Sequence, residues 1–377
     1  MVYVLLFLNF PLWGGYNRIK YLMLLIVGIY VCRYIRVFFQ RKFIFVNALF
    51  TVFSITLLYS SYINRDIIQD RDPFLAAMFF CMSMIMSLFF FEVKASKGEI
   101  EDVINNFFWY LSVIVLLLDL QIFILPNGGL IMGYYFIGTK FTVVYLHVIY
   151  IAFYLQRTRK HHEQLETIKT LLLIILTVIV STRVDCATGT VMLIIMILLY
   201  YFLNYLDKFM VKPSTIIVVL ILTFVFAFVY EVVLKWGIIE SFVVNILNRD
   251  MTLSSRTRIF STVIELLDGH WINGFGYGTS YSIGIAHSGF PNTQNGLLEW
   301  IWQAGIVGTV MLLTMLYYIY REVNSIRKPK LFFPVNIIIY ILAMISAVEI
   351  SLGNLFFALF MLIYAMSKDE VYTDEAE

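Results

Sequence analysis

Twelve apolar windows run through the chain, near residues 1–13, 20–35, 43–63, 73–91, 104–125, 141–155, 168–181, 187–205, 215–234, 297–319, 332–349 and 353–366. This pattern constrains the fold more than any motif. A bilayer core is crossed by about 20 residues of apolar helix, and a soluble core cannot hide so many such stretches. Composition agrees: hydrophobic residues make up 61% of the 377, charged residues 14%, and the mean hydropathy is +0.84. The expected fold is all-α, a polytopic membrane protein forming one integral membrane domain over 1–377, with about 12 transmembrane helices. One long extracytoplasmic loop, 235–296, is expected to contain short helices. The opening "MVYVLLFLNFPLWGG" has neither a basic n-region nor a small-residue cleavage site, so it reads as a retained first span.

Charge placement predicts the topology. With both termini cytoplasmic, 17 of the 27 Lys and Arg residues fall in inner connections, among them Arg33, Arg41, Lys94, Arg157, Lys212, Lys328 and Lys368. The outer side keeps ten: Arg18, Lys20, Arg65, Arg71, Lys140, Arg183, Lys235, Arg249, Arg256 and Arg258. That bias follows the positive-inside rule. A formal net charge of +2 without a concentrated basic face argues against nucleic acid as a partner. Cys32, Cys81 and Cys186 have no paired or metal-like spacing and read as small apolar filler. The inner loop "QRTRKHHEQLETIK" and the acidic tail "KDEVYTDEAE" read as solvated surface.

Most of the chemistry-bearing residues lie in the long outer loop. "SSRTRIFSTVIELLDG" reads as a capped start, an amphipathic helix along the interface and a stop at Gly269. Arg256 and Arg258 stand about 200° apart on it. Arg256 shares a face with Phe260 and Val263, while Arg258 lies with Thr262 and Glu265. Arg256 has no acid on its face and sits where a helix N-terminus favours anions, so it is the stronger candidate. Arg183, in "VSTRVDCATG", ends one span as the next begins, which makes it a functional candidate; Asp185 could pair with it, or it could snorkel to headgroups. Next comes "HWINGFGYGTSYSIG", whose spacing is not that of a nucleotide fingerprint; its glycines suit tight turns and close approach of backbone to a ligand. Trp271, Tyr277 and Tyr281 can stack on sugar rings, but the interfacial aromatic belt explains them better. His270, His287 and Glu299 are the groups nearby that could accept a proton. Gly305 and Gly308 of "QAGIVG" suggest close helix packing. Asp119 is the main acid within a span, and its sequence neighbours offer no partner.

These residues resemble the O-antigen polymerase and ligase family of bacterial envelope polysaccharide synthesis. The resemblance rests on Ser255, Arg256 and Thr257 at a helix start, Gly274, Gly276 and Gly278 in a turn, Asn295 ahead of a span, Gly305 to Gly308 within it, and the Ser-Thr-Arg ending at Arg183. Ligase members carry His before that Asn; here the position is Gln294, which hydrogen-bonds but is no base near neutral pH. Polymerisation of repeat units is therefore favoured over ligation to a lipid core, with His287 as the candidate to replace the missing base. The resemblance implies transfer of an oligosaccharide from a polyprenyl diphosphate carrier to a sugar hydroxyl, with inversion, at the outer face of the bacterial cytoplasmic membrane. It implies neither cofactor nor metal. Arg256 and Arg183 would clamp the departing diphosphate, with Arg258, Gln294, Asn295, Tyr277 and Trp271 contacting substrate. Expected partners are the lipid-linked oligosaccharide, membrane lipids, and the chain-length regulator and flippase of such a pathway. An exporter or flippase of lipid-linked oligosaccharide is the competing expectation.

Overall fold

A computed structural model describes residues 16–125, 129–131, 133–159, 164–234, 237, 256–326 and 328–370. The described chain is helical, apart from one isolated bridge between Ile131 and Tyr134. Its main helices are α1 (Tyr16–Cys32), α2 (Ile44–Ile63), α3 (Pro73–Ser96), α4 (Ile100–Ile124), α5 (Lys140–Thr158), α6 (Gln164–Arg183), α7 (Ala187–Ile197), α8 (Pro213–Leu234), α9 (Arg256–Leu266), α10 (Ser280–Ser288), α11 (Gly296–Ser325), α12 (Phe333–Ile345) and α13 (Asn354–Lys368). Each apolar window from 20–35 onward coincides with one of them; the window 1–13 lies outside the described residues. Five helices are long and apolar enough to cross a membrane: Ile44–Ile63, Pro73–Ser96, Ile100–Ile124, Leu165–Arg183 and Gly296–Ser325. Shorter apolar helices cover Ala187–Phe202, Pro213–Val229, Phe333–Ile345 and Asn354–Lys368.

The two C-terminal helices form the centre. Phe356 to Met366 of α13 and Val335 to Ala343 of α12 are buried throughout, as suits sequences with no polar face. Helices α3, α11 and α12 pack around α13, while α2 lies against α11, α1 against α3, and α5 against α12. Outer helices keep their apolar side exposed: Val113, Leu116, Leu117, Leu120 and Ile124 of α4 form such a stripe, as do Leu22, Leu25 and Ile29 of α1. A soluble monomer rarely shows patches of this kind.

Connections expected on one side of a membrane bond to each other. At one end, here termed lower, Lys42 Nζ donates to the Lys368 carbonyl (3.5 Å), the Ile100 amide to Asp369 (2.9 Å), and Arg159 to the Leu331 carbonyl (3.2 Å). Lys368 also pairs with Glu322. At the upper end Lys140 pairs with Asp185 (3.6 Å), Asn64 donates to the Gly274 carbonyl (3.0 Å), and Asn295 to the Ala347 carbonyl (3.3 Å). The alternation read from charge is thus built into the tertiary contacts.

Helix lengths leave a gap. At 1.5 Å per residue, α3 is about 36 Å long whereas α12 and α13 reach only ~20 Å and ~22 Å. Both α3 and α13 finish at the lower end, so α3 rises ~14 Å above the top of α13. The space over the central pair is closed by loops rather than by helix.

Two sequence expectations change here. The amphipathic helix α9 was expected to lie along the interface, but Ile259, Phe260 and Val263 of its apolar face are buried in a cluster with Ala227, Leu298, Ile301 and Trp302. Burial against protein is the alternative use of the same amphipathic pattern. Asp119 is not a lone acid: His147 Nε2, from α5, lies 3.0 Å from its Oδ1, and His147 Nδ1 lies 2.8 Å from the Val143 carbonyl.

Candidate functional site

Above the short central helices lies a cavity of about 910 Å³. One long wall is a single face of α3, with Leu75, Phe79, Phe80 and Ser83 at helical spacing. Its floor is the turn between α12 and α13, through Ser351 and Asn354; α5 adds Thr142 and Tyr145, and α1 adds Lys20 and Tyr21. Arg71 and Tyr277 complete it. All of these belong to the upper end.

Tyr277 arrives by a route the sequence does not advertise. Helix α11 breaks at Gly305, where φ is 65° and ψ −177°. The break frees two carbonyls and an amide from the helical ladder, and the segment 271–276 takes them up. Phe275 N donates to Trp302 O (2.6 Å), Gly276 N to Gln303 O (3.1 Å), and Ile306 N to Trp271 O (2.8 Å). From α2, Ser60 Oγ also donates to Gln303 O (2.9 Å). These groups are thereby paired, as a break within an apolar bundle requires. A Cβ at Gly305 would overlap the Ile272 carbonyl, and one at Gly274 would stand 2.6 Å from the Trp302 oxygen. Gly274 was expected to suit a tight turn or close approach to a ligand, and Gly305 close helix packing; between them they bring backbone to backbone.

The segment then turns into the cavity. Tyr277 N donates to Ser61 Oγ (2.9 Å) and its ring stacks on Phe80, centroids 4.7 Å apart. Burial pushes the Tyr277 phenol up to about 12, with the nearby Arg71 guanidinium pulling it down. The hydroxyl is therefore a neutral donor at physiological pH. Arg71 is exposed, and among the described residues its side chain makes no hydrogen bond or ion pair. Its neighbour Asp72 is committed as the cap of α3, accepting from Phe74 N (2.8 Å) and Leu75 N (3.3 Å). The cavity thus carries the cations Arg71 and Lys20 and one carboxylate, Asp72, whose Oδ1 caps α3. Hydroxyl, amide and aromatic groups line the rest together with aliphatic side chains, among them Leu24, Met84, Ile350 and Leu355. Such a surface suits an anion joined to a polar, stackable group.

The other expected site residues are dispersed. Arg183 is exposed at the end of α6, forms no ion pair among the described residues and does not line the cavity; Asp185 pairs instead with Lys140. Arg256 opens α9, but its side chain lies outside the described residues. Arg258 is exposed on α9. His287 is exposed on α10, its Nδ1 3.0 Å from the Ile283 carbonyl, and His270 stacks on Phe275 (4.1 Å). Trp271 packs against the α9 cluster. Gln294, at φ 55°, donates to Asn292 Oδ1 (2.8 Å). Asn295 is fully buried: its Oδ1 caps α11 by accepting from Leu298 N (3.0 Å), while Nδ2 donates to the Thr223 and Ala347 carbonyls. Both of its N–H groups are committed and the side chain is buried away from the cavity, so it is not presented to a substrate.

Glu299 is equally committed, accepting from Ser280 Oγ (2.6 Å), Gln303 Nε2 (2.7 Å) and Thr293 N (3.2 Å). Among the described residues no group of three or more His, Cys, Asp and Glu side chains is arranged to hold a metal ion. Among the expected site residues whose side chains are described, only Tyr277 reaches the cavity, and Arg71 and Lys20 are the cations that sequence reading left as ordinary outer charges. Comparison with protein-family models, with curated proteins and with solved structures found no match.

Proposed function

We propose that the chain is a polysaccharide repeat-unit polymerase of the bacterial cytoplasmic membrane, crossing it about 12 times with both termini inside. Its cavity would then open at the outer face. The donor is an oligosaccharide on a polyprenyl diphosphate. A hydroxyl of the acceptor sugar attacks the anomeric carbon; the new glycosidic bond forms as the carbon to diphosphate oxygen bond breaks, with inversion. The hydroxyl proton leaves to solvent or to the released diphosphate, whose carrier departs.

One observation carries this reading: a guanidinium, Arg71, with no hydrogen bond or ion pair among the described residues, at a cavity whose lining mixes hydroxyl, amide and aromatic groups with aliphatic side chains. Charge accumulates on phosphate oxygens as the bond breaks, and a guanidinium holds it in two places at once. We assign that role to Arg71 with Lys20, and keep Arg256 as a second cation on the family resemblance alone. Tyr277 and Phe80 supply the surface for a sugar ring. Leu75 and Tyr21, which are exposed and line the cavity, give the carrier's first isoprene units an apolar path toward lipid.

The exporter reading has one observation in its favour, the Asp119–His147 pair. By residue count, however, Asp119 lies ~8 Å and His147 ~10 Å from the upper ends of α4 and α5. Transporters concentrate such groups near the midplane. Purified full-length protein in liposomes, supplied with lipid-linked repeat units, separates the two. Polymer on the side of addition supports the polymerase; movement of repeat units across the bilayer without polymer rejects it.

A further inference from the structure

We infer that Gly278 is a positioning residue for the anion-binding guanidinium: the bare backbone at this glycine is the seat on which Arg71 lies flat. The inference rests on the reading of the cavity as a diphosphate site. It concerns a residue that contacts Arg71 rather than the ligand.

The geometry is specific. A Cβ built on Gly278 would stand 3.0 Å from Arg71 Nη1, 3.1 Å from Cζ and 3.2 Å from Nη2. Three nearly equal distances mean that the guanidinium presents its face, not an edge, to the glycine. Its N–H donors all lie in the guanidinium plane, so a face contact leaves the whole fork available. That agrees with the lack of any hydrogen bond or ion pair from Arg71 among the described residues, and with Asp72 being spent on the α3 cap. The seat itself is fixed. Residue 277 is tied to Ser61, Thr279 Oγ1 donates to the Gly276 carbonyl (2.8 Å), and Trp302 Nε1 donates to Thr279 Oγ1 (3.1 Å). A methyl group at 278 therefore displaces the arginine rather than the turn.

Gly278 also has φ 73°, so any substitution carries backbone strain as well as the displacement. The chain contains its own control. Gly289 has φ 76° and nothing within 4 Å of its would-be Cβ, so Gly289→Ala carries the strain alone. The test is calorimetric titration of inorganic pyrophosphate, and separately of farnesyl diphosphate, into the full-length protein in nanodiscs. Gly278→Ala, which moves the guanidinium by a few tenths of an ångström, is expected to weaken both by about threefold to 10-fold, a charge-assisted contact loosened rather than lost. Gly289→Ala should shift them less than twofold, at roughly this resolution of the assay. Arg71→Ala combined with Gly278→Ala should bind no more weakly than Arg71→Ala alone, because the glycine acts only through the arginine. Gly278→Asn, which tolerates positive φ but still carries a Cβ, replaces the alanine variant if that one does not fold.

Equal affinity in Gly278→Ala and Gly289→Ala, or losses that multiply in the double variant, would overturn the inference. Farnesyl diphosphate binding tighter than pyrophosphate supports a lipid-linked occupant; pyrophosphate binding as well or better rejects one. A protein that shows this glycine dependence but makes no polymer loses the polymerase reading and keeps the seat, while polymer formation indifferent to residue 278 does the reverse.

Discussion

Replacing Asn295 with alanine should destabilise the bundle without touching ligand affinity. The side chain is fully buried and makes three hydrogen bonds across three elements: to Leu298 N at the start of α11, to Thr223 O on α8 at 2.9 Å, and to Ala347 O beyond α12 at 3.3 Å. Loss of the cap costs ~1 kcal/mol. Leaving the Thr223 carbonyl with one partner fewer costs about 1 kcal/mol, and the longer Ala347 bond about half that. The sum, ~2.5 kcal/mol, divided by an unfolding entropy of roughly 0.8 kcal/mol/K for this length, corresponds to a fall of roughly 3 °C in Tm. Asn295→Ser keeps a good capping group and loses the two donors, so it should fall between. Thermal unfolding in detergent, followed by tryptophan fluorescence, reads the order wild type, serine, alanine. Pyrophosphate titration on the same samples should give unchanged affinity. An alanine variant that melts like wild type and binds the anion more weakly would refute the reasoning and return Asn295 to the substrate.

Three further outcomes follow from the same contacts. Gly305→Ala should detach the 271–276 segment from α11, because the new Cβ overlaps the Ile272 carbonyl; limited proteolysis should then cut between 270 and 279, where the wild type resists. Asp119→Leu or His147→Phe alone should cost ~3 kcal/mol or more by stranding a buried partner, whereas the double variant should recover much of the loss, as measured by unfolding midpoints. Glu299→Gln places an amide against three donors and should destabilise by ~2 kcal/mol, with Glu299→Asp also failing to restore all three bonds.

What the sequence made legible was whatever is local. Apolar windows become helices because each satisfies its own backbone, so hydropathy finds them without tertiary knowledge. The α9 boundaries were readable for the same reason, from a capped start and a glycine stop. Pairings of distant residues were not. Arg71 looks like any of ten outer cations until the fold sets Gly278 against it, some 200 residues along the chain. His147 and Asp119 lie on neighbouring helices with no common motif. "QAGIVG" reads as an ordinary packing stripe, since the break at Gly305 is stable only because residues 271–276 supply the missing partners. Asn295 drew notice as a family residue, and its commitments to α8 and the turn after α12 are visible only in three dimensions.

The most direct measurement of the central claim is polymer length and yield from purified Arg71→Ala and wild-type protein in nanodiscs, given the same lipid-linked repeat unit. If Arg71 holds the departing diphosphate, the wild type builds a ladder and the folded variant loses about 10²-fold or more of the rate. Wild-type ladders from a well-folded Arg71→Ala protein would contradict it.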